Sequence, residues 1–130
     1  MPKPIMYLAS PYTHMDKEIQ HMRYLAVRDT AAQLMRDGEF VFSPIVHCHP
    51  MAVSCDLKGD IDFWRDYDFA MIEALPRFGI LKLPGWLQSE GIEEEKAHAL
   101  SLGRVVESVV PVGTYADLLE VKAEFDSYSN

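Results

Sequence analysis

The sequence predicts an α/β fold of three layers, αβα, built around an open parallel sheet of four to five strands. Three observations carry that expectation. Short apolar runs such as "IMYLA" at 5–9 and "FGILKL" at 78–83 alternate with longer stretches of helical period. That alternation argues for parallel strands with helices covering both faces. The joints are brief and marked by Gly38, Pro76 and Gly103, which stop helices rather than open new domains. A chain of 130 residues, 48% apolar and 25% charged, supports one hydrophobic core, and no internal repeat or interdomain linker interrupts residues 1–130.

Residues 5–9 form the expected first strand, a compact apolar run followed by the turn residues "SPYTH". Residues 16–37 carry apolar side chains at Ile19, Met22, Leu25 and Met35, the period of a helix, and Gly38 ends it. A second strand is expected at 39–43. Residues 44–58, "PIVHCHPMAVSCDLK", contain two prolines and no clear period, and read as a long connection of the kind that carries function. A second helix is expected over 60–75, ended by Pro76. The third strand follows at 78–83, then the loop "PGWLQSEG", a third helix at 92–102, a strand within 104–112 and a last helix from about Thr114. The arrangement is flavodoxin-like or Rossmann-like, and such sheets bind ligands beyond the carboxyl ends of their strands. The loops to watch are therefore 10–15, 44–58 and 84–91.

Charge removes several classes of function. A net charge of −8 repels phosphate backbones and acidic membrane surfaces, so neither a nucleic-acid polymer nor a membrane is an expected partner. No apolar run approaches the ~20 residues needed to span a bilayer. Two cysteines, Cys48 and Cys55, are too few for a disulfide scaffold, and the apolar start is too short for a secretory leader; the expectation is a cytoplasmic protein with reduced thiols.

Two carboxylates stand out of place. In "SEGIEEEKAHA" (89–99), Glu95 shares a helical face with Ile92, Ala99 and Leu102, whereas Glu94 aligns with His98 and Ser101 and Glu93 lies at the flank. Acidic residues in a first turn ordinarily face solvent and complement the helix dipole. On the second helix, Ile61, Trp64, Met71, Ile72 and Leu75 form an apolar stripe with Asp68 in its middle, while Asp62, Asp66 and Glu73 gather elsewhere. A carboxylate among apolar side chains costs several kcal/mol unless it is paired or used. Pairing with Arg65 or His98 is the structural alternative. Two carboxylates at one end of a parallel sheet suit glycosidic chemistry, which needs a negative charge beside an oxocarbenium-like carbon and a proton for the leaving group.

Three stretches carry a family resemblance: "YLASPY" (7–12), "WRDYDFAMIEAL" (64–75) and "SEGIEEEKAHALSLGRVV" (89–106). In order and spacing the chain resembles the nucleoside 2-deoxyribosyltransferase superfamily, in its short bacterial and phage branch of unknown function. The resemblance implies Glu95 as the nucleophile at C1′ of a (deoxy)ribosyl group and Asp68 as acid/base at the base or a sugar hydroxyl. It further implies that Tyr7, Ser10, Pro11 and Tyr12 line the sugar site, with Tyr7 or Tyr12 orienting the glutamate. Ser89 and Gly91, at the start of the third helix, fall on the family pattern and would hold a hydroxyl or a 5′-phosphate. Ala97 stands where the family usually has glycine. The only asparagine is Asn130, whereas full-length transferases complete each site with an asparagine from a neighbouring subunit. The implied partner is a nucleoside or nucleotide, and the family implies a homodimer or larger homo-oligomer.

The run "HCHP" (47–50) with Cys55 and Asp56 lacks the paired spacing of a zinc site, so neither a metal nor a cofactor is expected. His47 is instead a candidate contact to the base or phosphate. Two classes of function follow: an enzyme that breaks an N-glycosidic bond by hydrolysis or transfer, or a non-catalytic nucleotide-binding module that retains the fold.

Overall fold

The structure, a computed structural model, describes residues 3–57 and 61–129. In chain order the elements are β1 (Ile5–Ala9), α1 (Lys17–Arg36), β2 (Phe40–Phe42), α2 (Pro44–Ser54), α3 (Ile61–Ala74), β3 (Arg77–Leu81), a 3₁₀ turn (Trp86–Gln88), α4 (Glu90–Ser101), β4 (Val106–Val109) and α5 (Thr114–Ser129). The expected helix start at residue 60, the side chain of Ile61 and the terminal Asn130 lie outside what is described.

Among the described residues four strands form one sheet in the order β2-β1-β3-β4, and every pairing is parallel. The chain builds outward from β1 to β2, then returns to add β3 and β4 on the other side. The order therefore reverses between β1 and β3, which makes the gap beyond their carboxyl ends the switch point of the sheet. In β1 alternate side chains serve opposite layers. Met6 and Leu8 pack with Ile19, Ala26 and Val27 of α1 and Ala116 and Leu119 of α5. Tyr7 and Ala9 pack with Ile72 of α3 and Ile92 and Ala99 of α4. Helices thus cover both faces, the expected αβα layering. Gly79 of β3 allows this close packing, because a Cβ there would stand 2.5 Å from Sδ of Met6.

Local signals set the ends of α1. Asp16 caps it by accepting a hydrogen bond from the Glu18 amide at 2.9 Å, and Gly38, at φ 95°, turns the chain into β2.

The long connection expected at 44–58 is a correction: Pro44–Ser54 is helical. Ser43 is its N-cap, with Oγ accepting from the Val46 amide at 3.2 Å, and Pro44 occupies the first turn, where a missing N–H costs nothing. The helix tolerates Pro50 within it and ends at Cys55, after which Asp56 takes a left-handed conformation, φ 56°. Helical rather than extended backbone also changes where neighbouring histidines point. Residues two apart are separated by about 200° around a helix. His47 is accordingly exposed while His49 is buried, so they do not share a side as an extended stretch would have them.

Candidate functional site

Beyond the carboxyl ends of β1 and β3 lies a cavity of about 850 Å³, walled by the loop after β1, α2, α3, the loop after β3 and the start of α4. Both ends of that wall are tied together by one side chain. Arg23 of α1 donates to the Thr13 carbonyl at 3.0 Å and the Pro84 carbonyl at 3.3 Å, bridging the loops that follow β1 and β3. Gly85 makes room for it, since a Cβ there would lie 2.6 Å from Nη2 of Arg23, and its φ of 94° favours glycine independently.

Glu95 projects from the second turn of α4 onto the face it shares with buried Ile92 and Ala99. Tyr7 of β1 is fully buried, stacked on Phe78 with ring centroids 5.8 Å apart, and its hydroxyl lies 3.1 Å from each carboxylate oxygen of Glu95. Burial and the nearby charges of Glu95 and Asp68 hold the Tyr7 phenol well above its ordinary titration range. Tyr7 is therefore a fixed O–H donor, and its packing leaves the hydroxyl little freedom to move.

Asp68 comes from the middle of α3 and lines the same cavity. Its Oδ1 is buried without a hydrogen-bond partner among the described residues. Burial raises the Asp68 carboxyl to about 7. Burial, then the charge of Asp68, raise Glu95 to about 8, against the lowering effect of the Tyr7 hydrogen bond. The two carboxyls form a coupled pair whose two steps belong to the pair rather than to either residue. Burial favours retention of a proton by the pair, and nucleophilic attack with acid/base assistance requires that proton to sit on Asp68 while Glu95 is ionised.

The cation one turn before Asp68 on α3 is committed elsewhere. Arg65, one turn before Asp68, grips Glu94 with Nε and Nη2 at 2.9 and 3.0 Å and holds Asp62 at 2.9 Å. His98, the other expected partner of Asp68, stacks on Phe69 with centroids 4.2 Å apart and lies 3.4 Å from Glu73. Glu94 is thus not merely solvated, as its helical face suggested, but locks α4 to α3 and consumes the charge that would have quenched the pair. Glu93 is exposed.

The remaining candidates divide. Ser10, Tyr12, Ser89 and Gly91 line the cavity. Ser10 Oγ is buried and unpartnered, whereas Ser89 Oγ is occupied as the N-cap of α4, accepting from the Ile92 amide at 3.2 Å. Pro11 is fully buried and does not line the cavity; it shapes the exit from β1. His47 too lies off the cavity, stacked on Tyr67 with centroids 5.9 Å apart. The histidine on the cavity is His49, which sequence reasoning passed over; a helix start at Ser43-Pro44 was the signal that would have turned it inward. Cys48 also lines the cavity, and burial followed by the charge of Asp68 pushes its thiol up to about 12, so it is no nucleophile at neutral pH. Among the described residues no three His, Cys, Asp or Glu side chains are placed to hold a metal ion, and no helix is long and apolar enough to cross a membrane.

Comparison with curated proteins finds no match to the chain. The family model described as a domain of unknown function, DUF1937, matches residues 4–110, a span that takes in the whole sheet and every side chain of the cavity described above, and the chain belongs to that family.

Proposed function

We propose that this protein is an enzyme of the N-glycosidic bond, a deoxyribosyltransferase or N-glycoside hydrolase acting on a nucleoside or nucleotide. The observation that carries the proposal is the Tyr7–Glu95–Asp68 constellation at the mouth of a parallel sheet: one carboxylate tethered through both oxygens by a buried phenol, and a second, raised by burial, whose Oδ1 has no hydrogen-bond partner among the described residues. The resemblance to nucleoside 2-deoxyribosyltransferases supports the same two residues in the same roles. Glu95 attacks C1′, the bond to the base breaks, and the sugar is held as an ester. Asp68 manages the proton at the base or a sugar hydroxyl. Water, or a second base, then attacks C1′ and frees Glu95. Tyr7 orients the nucleophile and keeps its charge in place.

The test is base release from deoxynucleosides, deoxynucleotides and NAD, followed by chromatography and repeated with Glu95→Ala. Release by the wild-type chain that the variant loses is the expected result. Tight nucleotide binding with no release by wild type would refute the enzyme and establish a binding module in its place.

A further inference from the structure

A second array of titratable groups lines the same cavity from different elements. His49 of α2 is buried, and both its ring nitrogens are engaged by other titratable side chains: Nδ1 lies 2.5 Å from the hydroxyl of Tyr12, and Nε2 lies 3.1 Å from Nδ1 of His21. A histidine buried for structure alone commonly meets backbone carbonyls, whereas this one joins a cavity-lining phenol to an exposed imidazole on α1. The row is held rigidly. Tyr24 stacks on His49 with centroids 4.3 Å apart, and the Tyr12 and His49 rings meet edge-on at 83°. The groups facing it are few: Gln20 and Cys48 at Tyr12, His21 at His49. Burial holds the Tyr12 phenol up and the His49 imidazole down, so both stay neutral near pH 7. Cys48 lies within electrostatic reach of both Tyr12 and Asp68, which places the row and the carboxylate pair around one space.

From this geometry we infer that Tyr12 is the catalytic residue that protonates the departing base, fed by a relay through His49 from His21 at the surface. The inference rests on the N-glycosidic reading above and settles the division of labour within it. The base it suits is a purine-type ring with an acceptor nitrogen away from the glycosidic bond. As the C1′–N bond breaks, its electron pair passes to the base and the Tyr12 O–H proton passes to a ring nitrogen. The Nδ1–H of His49 moves to the Tyr12 oxygen, the Nδ1–H of His21 moves to Nε2 of His49, and His21 regains a proton from solvent on Nε2. When water attacks C1′, its proton joins the Glu95–Asp68 pair and leaves to solvent. One proton thus enters by the relay and one leaves by the carboxylates. Asp68 is left to the sugar hydroxyl and the water.

The experiment compares release of guanine from 2′-deoxyguanosine with release of 7-methylguanine from its N7-methyl counterpart, whose base leaves neutral without needing a proton. Tyr12→Phe and His49→Gln are each expected to slow the first reaction by about 10²-fold or more while leaving the second near the wild-type rate. Equal losses on both substrates, or no loss on either, would overturn the relay. Glu95→Ala should abolish both reactions, and its failure to do so would remove the nucleophile without touching the ratio that judges Tyr12. A ¹⁵N spectrum of the imidazoles gives an answer that is independent of turnover. The relay requires His49 protonated on Nδ1 and bare on Nε2, and the opposite tautomer would overturn it even if the wild-type chain released neither base.

Discussion

Replacing Glu95 with glutamine retains the side chain's volume and an oxygen for the Tyr7 hydroxyl but removes the ionisation. Glu95 titrates at about 8 in the folded protein because burial and Asp68 oppose its charge, whereas an unfolded glutamate titrates near ~4.3. Across that window the folded chain holds a proton that the unfolded chain has released. The resulting stability is fully present below the unfolded value and is lost as pH rises through about 8. Between about pH 5.5 and about pH 9 the Glu95 contribution covers about two and a half pH units, at ~1.4 kcal/mol each, or about 3 kcal/mol. Asp68, raised to about 7 by burial, adds its own fall with pH in both proteins, and in wild type its interaction with ionised Glu95 deepens the loss further. Urea denaturation followed by tryptophan fluorescence at both pH values measures the difference. Wild type should lose about 3 kcal/mol more than Glu95→Gln on going from the lower pH to the higher. Equal losses would show that Glu95 ionises as an ordinary surface carboxylate and would refute the shared-proton site.

Three further outcomes follow from the same geometry. The rate of base release should rise with pH through about 7 and fall through about 8, the two steps of the pair, and Asp68→Asn should abolish the alkaline fall, because the proton lost in the second step is the one that Asp68 supplies. Tyr7→Phe removes a donor to a charged acceptor, worth ~1.5–3 kcal/mol, and should cut kcat by about 10- to 100-fold with KM little changed. Ser89→Ala removes the N-cap of α4 and should cost about 1 kcal/mol in urea denaturation; a loss of substrate affinity with unchanged stability would show that the hydroxyl serves a ligand rather than the helix.

What the sequence made legible was local. The turn at Gly38, the apolar runs of β1 and β3, and the faces of α3 and α4 follow from residues within one or two turns of each other. Glu95 could be separated from Glu93 and Glu94 because Ile92 and Ala99 are buried on its side, and Asp68 stood out because its neighbours on the helix are apolar. At α2 two prolines and the lack of a clear period masked a helix whose start is set by Ser43 and Pro44 and which tolerates Pro50 within it. The direction of every side chain in a segment depends on its backbone period, so an extended reading set His47 and His49 on one side, where the helix sends them to different ones.

The sequence could not settle which carboxylate takes Arg65. Asp62, Asp68 and Glu94 all compete for it, two on the same helix and one 29 residues away on another. Glu94 prevails because it meets the guanidinium edge-on with two hydrogen bonds, a fit that exists only once α3 and α4 have packed. That tertiary outcome decides the chemistry. Had Arg65 turned to Asp68, the pair would hold a compensated charge and titrate like ordinary carboxylates. Because Glu94 holds it, neither Asp68 nor Glu95 is salt-bridged among the described residues although Arg23 and Arg65 also line the cavity, and the proton the pair retains is what Glu95 and Asp68 would use. The Arg65–Glu94 contact is therefore both a fastener between two helices and the reason that the site keeps its proton. Exchanging Glu94 for glutamine should free Arg65 for Asp68 and lower the acid limb of the rate profile, whereas an unchanged limb would show that burial alone sets it.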